Sequence, residues 1–124
     1  MTTDDAIESL KRYISHGIPE GGFLQAVIEN NLMESFGQAD ETSRENLFAI
    51  CSWVYGNAPM GCRGSQVRYR EWIDLHRWLD GQLRDGHMLD ELCDVEAETN
   101  EMQRTVAWCR RYAIKHEEVE KSNS

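Results

Sequence analysis

Nucleophilic or metal chemistry in this chain would have to come from four cysteines (Cys51, Cys62, Cys93, Cys109) and four histidines (His16, His76, His87, His116). Their spacing argues against a metal centre: there is no C-x-x-C, no H-x₃-H and no other tight pair of the structural-zinc kind. Cys62, next to Arg63 in a turn, is the one thiol with an electropositive sequence neighbour, which would lower its pKa and suit a cysteine-dependent enzyme. Cys51 and Cys109 fall on apolar helical stripes and are expected to be buried small hydrophobes. No nucleophile elbow, H-E-x-x-H, phosphate loop or dinucleotide fingerprint occurs. The expectation is therefore no catalytic residue, no metal and no cofactor. The opening residues are acidic, with no basic and apolar leader, which predicts reduced thiols and a cytoplasmic setting.

The elements that would position these side chains are helical. No stretch sustains the alternation of a strand. The predicted fold is all-α, a compact bundle of about five helices in one domain. Residues 1–84 form a helical module with helices at about 3–16, 22–37, 42–56 and 65–84. Residues 85–119 form a long C-terminal helix packed on it, and 120–124 a frayed tail. In the first helix Ile7, Leu10 and Ile14 make an apolar stripe that ends at Gly17. In the second, Phe23, Leu24, Val27, Ile28, Leu32 and Phe36 are expected to face inward, with Asn30 and Asn31 as poor interior residues. The third begins at Asp40 or Thr42 and turns Leu47, Ile50, Cys51, Val54 and Tyr55 inward. A glycine-rich turn, Gly61 to Ser65, precedes the fourth. Its glycines and Arg63 have the composition of an anion cradle, but a plain turn with Ser65 as N-cap is expected. From Met88 to His116 apolar residues alternate spacings of four and three, predicting a helix roughly 45 Å long.

Charge gives the next constraint. The net charge is −9, from 13 Lys plus Arg against 22 Asp plus Glu. That argues against nucleic acid and anionic membrane as partners, and favours a protein with a basic surface. The longest apolar stretch, Leu47 to Tyr55, is broken by Ser52 and is far short of the ~20 residues of a membrane span. Arg70, Arg77 and Arg84 recur at sevenfold spacing on the fourth helix. Seven acids and no base lie between Asp85 and Glu101, and four bases and no acid between Met102 and His116. An antiparallel hairpin about Gly86 would set the Arg70/Arg77/Arg84 stripe against the acidic half of the long helix as an intramolecular ion-pair stripe. It would also leave Trp108 and Tyr112 on an overhang, to be covered by the first helix or by a second copy in a homodimer through the C-terminal helix.

The run His16–Leu32, with Gly21-Gly22-Phe23-Leu24 at its centre, resembles a module of small phage and prophage proteins. Ala39-Asp40, Tyr55 to Ser65 with Pro59, Cys62, Gly64 and Ser65, and Trp72 continue the likeness. It covers about residues 14–73. Arg63 and Gln66 depart from the aromatic and proline of many such proteins. The resemblance implies origin and cellular setting, and carries over no catalytic or ligand residue.

The leading expectation is an acidic phage-derived protein-binding module acting without catalysis, most concretely an inhibitor of a bacterial defence system of the anti-CRISPR or anti-restriction type. Glu91, Asp94, Glu98, Glu101, Trp108 and Tyr112 are its partner-binding candidates. The alternative is a self-associating assembly accessory of a phage. The third reading is the Cys62 enzyme.

Overall fold

The computed structural model describes residues 1–94 and 101–122, with side chains described up to Cys93 and from Glu101 to Lys115. Among these residues all regular structure is helical: α1 (Thr3–His16), α2 (Gly22–Ile28), α3 (Leu32–Gln38), α4 (Glu41–Glu45), α5 (Leu47–Asn57), α6 (Gln66–Arg84), α7 (Leu89–Asp94) and α8 (Glu101–Ser122), with a 3₁₀ turn at Met60–Cys62. The fold class is as expected, but there are eight α-helices where about five are predicted.

The local signals that hold are caps. The Thr2 hydroxyl accepts from the Asp5 N–H, and Gly17 closes α1 at φ 68°. The Ser65 hydroxyl accepts from the Arg68 N–H and starts α6. Asp40 rather than Thr42 caps α4. Its carboxylate accepts from the Ser43 N–H and pairs with the N-terminal amine at 3.2 Å, which together hold its pKa down at about 2.

Three predicted helices are instead broken. The second divides at Asn30, which sits at φ 63°. Its N–H donates to the Val27 carbonyl while the Asn31 N–H donates to the Ala26 carbonyl, the paired bonds of a Schellman motif. The Asn31 side chain then caps α3. This break turns Leu32 and Phe36 to solvent, contrary to the inward face predicted for them. The third divides at Asn46 into α4 and α5; Leu47, Ile50 and Val54 are buried, but Tyr55 is exposed. The long C-terminal helix is not one rod. Arg111 of α8 bonds Asp90 of α7 at 3.3 Å. Twenty-one residues apart along one helix, they would stand about 31 Å from each other. So α7 and α8 lie side by side.

The core gathers one face of each long helix. Ala6, Leu10 and Tyr13 of α1 meet Ile50 and Val54 of α5, Tyr69, Trp72, Ile73 and Leu79 of α6, and Val106 and Ala107 of α8. Trp72 is fully buried, and its indole N–H donates to the Tyr13 carbonyl at 3.1 Å. Tyr13 stacks on Tyr69 with centroids 5.1 Å apart. Truncating a ring such as that of Trp72 costs about 3–5 kcal/mol in a core of this kind. Phe23 is half-buried, packed against the same cluster.

Candidate functional site

The thiols are placed for packing. All four cysteines are free. Cys62 is buried, its Sγ–H donates to the Pro59 carbonyl, and its own carbonyl accepts from the Tyr13 hydroxyl at 2.7 Å. Burial pushes its pKa up to about 12; Cys109 counts in the same direction, and Arg63 offsets only part. Arg63 acts in the expected direction, but burial outweighs it, so the thiol is not the low-pKa one its sequence neighbour suggests. Cys109 is pushed up to about 11 by burial, and burial raises Cys51 as well. The thiolates that nucleophilic chemistry needs are therefore disfavoured at neutral pH. Among the described residues no group of three or more His, Cys, Asp or Glu is placed to hold a metal ion.

The Gly61–Ser65 turn turns its donors inward. Gly64 N–H donates to the Ile28 carbonyl at 2.7 Å, Arg63 Nε to the Ala58 carbonyl, and Arg68 Nη1 to the Met60 and Arg63 carbonyls. The turn is a splice between α2 and α6, held by its own chain.

Among the described residues, Arg70, Arg77 and Arg84 form no ion pair with an acid of α7 or α8; the rest of the acidic segment predicted to face them lies outside the described residues. Arg77 pairs with Asp74 on its own helix at 3.7 Å, and Arg70 and Arg84 are exposed. The cross-helix pairs among the described residues have the opposite polarity: Arg110 of α8 to Asp80 of α6 at 2.7 Å, and Arg111 of α8 to Asp90 of α7. The acid lies on the earlier helix and the base on the later one. Glu91 is exposed, with a carboxylate oxygen accepting from the Met88 N–H, and Glu101 is exposed at the start of α8. The Asp94 side chain and Glu98 lie outside the described residues.

Sequence reasoning missed the buried polar cluster under α8. Arg110 is nearly buried; its Nε donates to the Ser15 carbonyl at 2.8 Å, Nη1 to Asp80, and Nη2 to His76 Nδ1 at 3.1 Å. His76, also buried, donates from Nε2 to the Ile14 carbonyl at 3.0 Å. With Trp72 on the Tyr13 and Ile14 carbonyls, side chains of α6 and α8 satisfy the last carbonyls of α1, which a helix end otherwise leaves without partners. Burial pulls the His76 pKa down to about 4. The signal was present: His76 lies on the same stripe as Trp72, Ile73 and Leu79.

Two surfaces remain. On the first, Leu32, Met33 and Phe36 of α3 and Phe48 of α5 are exposed, Met33 at 83% and Phe48 at 85%. Arg44, four residues before Phe48, donates from Nε to the Phe36 carbonyl, tying the two regions. Between Arg12 and Arg63 this part of the chain has six carboxylates and a single Lys or Arg, Arg44; Glu34 on α3 and Glu41 and Glu45 on α4 are exposed. The second is a groove of about 840 Å³ between α1, α5 and α8, walled by Trp53, Trp108 and Tyr112. The first helix does cover part of α8, where Cys109 and Ala113 form the groove floor with Ile14, while Trp108 and Tyr112 stay exposed.

No protein-family model, curated protein or solved structure matches this chain. No helix among the described residues is long and apolar enough to cross a membrane.

Proposed function

We propose that this protein is a non-catalytic, phage-derived binding module that docks on a basic surface of a host or phage protein in the bacterial cytoplasm. The observation that carries this reading is the exposure of four large apolar residues, Leu32, Met33 and Phe36 on α3 and Phe48 on α5, on a stretch of chain that also exposes Glu34, Glu41 and Glu45. Single exposed hydrophobes are ordinary. A cluster of large ones rimmed by charge is how interfaces are built, with Met and Phe as anchors and the rim choosing the partner by sign. Here the sign is negative, so the partner face is positive. Glu91 and Glu101, both solvent-facing, add to the same field. The most concrete version is an inhibitor that fills the basic nucleic-acid channel of a CRISPR or restriction effector.

A photo-crosslinking residue at position 48, in protein expressed in a bacterial host, tests the docking face. One basic protein should be captured in stoichiometric amount, and Glu41→Lys with Glu45→Lys should abolish capture. Equal capture from position 77 on the far helix would defeat the proposal. For the inhibitor version, expression should restore plating of a phage restricted by a defence system, and Phe48→Glu should remove that rescue.

A further inference from the structure

We propose that the pocket between α2, α5 and the residues after the 3₁₀ turn binds a small organic carboxylate with an aryl or branched apolar body. The pocket has a volume of about 320 Å³, within the range of small-molecule sites. Val27 of α2 with Val54 and Tyr55 of α5 supply apolar wall, and Asn30 and Arg63 supply polar side chains. No Asp or Glu is among the lining residues, so in a chain of net charge −9 an occupant meets one charged group there, the Arg63 guanidinium. The site is independent of the acidic docking face, since none of Leu32, Met33, Phe36 and Phe48 lines it.

Arg63 is held without being neutralised. Its Nε donates to the Ala58 carbonyl at 3.4 Å, and its guanidinium lies over the Tyr55 ring, 5.4 Å from the centre. Among the described residues no carboxylate pairs with it, and neither Nη group has a hydrogen-bond partner. A guanidinium fork takes a carboxylate by two parallel bonds, and a fork already oriented loses little freedom in doing so. Asn30 adds an amide donor to the lining. A phosphate asks for more donors, and the backbone N–H of Gly64, which also lines the pocket, is already given to the Ile28 carbonyl. Burial raises the Cys51 pKa, so its thiol lines the pocket as a neutral, weakly polar group. The volume is that of about ten waters in the liquid, which suits an acid of roughly ten to twelve non-hydrogen atoms, its ring against Val27, Val54 and Tyr55.

The test is fluorine NMR of 4-fluorophenylacetate with the full chain, and its control is 4-fluorophenylacetamide, which has the same size and no charge. The acid should bind saturably with a Kd of about 1 mM or tighter, and the amide about tenfold more weakly. Arg63→Gln should bring the acid down to the level of the amide. That variant should keep the native circular dichroism and melting temperature, because it breaks no ion pair among the described residues and a single long hydrogen bond. With native protein, saturating acid should also slow alkylation of Cys51, which lines the pocket, and leave Cys109, which does not, unchanged. The proposal is overturned if acid and amide bind alike, if the acid fails to bind at up to about 10 mM, or if Arg63→Gln leaves its affinity unchanged. It is also overturned if bound acid leaves Cys51 as reactive as before, or if inorganic phosphate displaces the acid at equal concentration.

Discussion

Arg110 on α8 donates to His76 on α6 at 3.1 Å while its Nε bonds the Ser15 carbonyl at the end of α1, so one guanidinium joins three helices. His76 is thereby held as the Nε2–H tautomer, with Nδ1 accepting from Arg110 and Nε2 donating to Ile14.

Removing that guanidinium should be costly in a way that removing its sequence neighbour is not. Arg110→Met leaves the Ser15 carbonyl and His76 Nδ1 buried without donors, and should lower unfolding free energy by about 2–3 kcal/mol. Arg111→Met breaks a pair whose acid is mostly exposed, and should cost less than about 1 kcal/mol. Urea denaturation of the two variants measures the difference, and equal losses would show that the cluster is not the junction.

Acid should weaken the fold through the same histidine. Its folded pKa of about 4 lies below the ordinary value of 6.5, so the unfolded chain binds the proton first. The contribution is complete above pH 6.5, declines as pH falls, and is lost by about pH 4. His76→Asn should therefore flatten the stability profile between pH 6.5 and 4, read from denaturant midpoints at several pH values. A slope that survives unchanged would assign the acid sensitivity elsewhere.

The break between α2 and α3 makes a prediction at Asn30. Its left-handed backbone suits Gly at least as well as Asn, so Asn30→Gly should change stability by less than about 1 kcal/mol. Asn30→Val, β-branched in the same conformation, should cost about 1–2 kcal/mol or more. Were the helix continuous there, the order would reverse, since Gly is the worse interior residue. Thermal melting of both variants decides.

Alkylation should follow accessibility and pKa rather than neighbouring charge. Cys51, half-buried at the surface of α5, should react first in the native protein; Cys62 should react at the rate of global unfolding. Intact mass and peptide mapping after timed alkylation check this. A fast Cys62 would revive the nucleophile reading that its burial argues against.

The helical class, the limits of α1, the start of α6 and the burial of Leu10, Leu24, Ile50, Trp72 and Leu79 were legible from spacing and caps. The breaks at Asn30 and Asn46 were not, because the apolar spacing runs through them and an Asn is only slightly worse than its neighbours inside a helix. The C-terminal periodicity has the same limit. A four–three alternation is equally satisfied by one long rod and by two helices lying side by side.

By itself, the amino-acid order determined what hydrogen bonding within a turn or two can determine: helix, stop and cap, together with the surplus of carboxylates. Only the tertiary structure decided that Arg110 reaches across to Asp80, and that Phe48, Trp108 and Tyr112 face outward while His76 does not. The physical reason is range. A cap acts over about three residues, whereas the choice of facing partner depends on how α1, α6 and α8 meet, and that is set by packing among residues up to 95 positions apart.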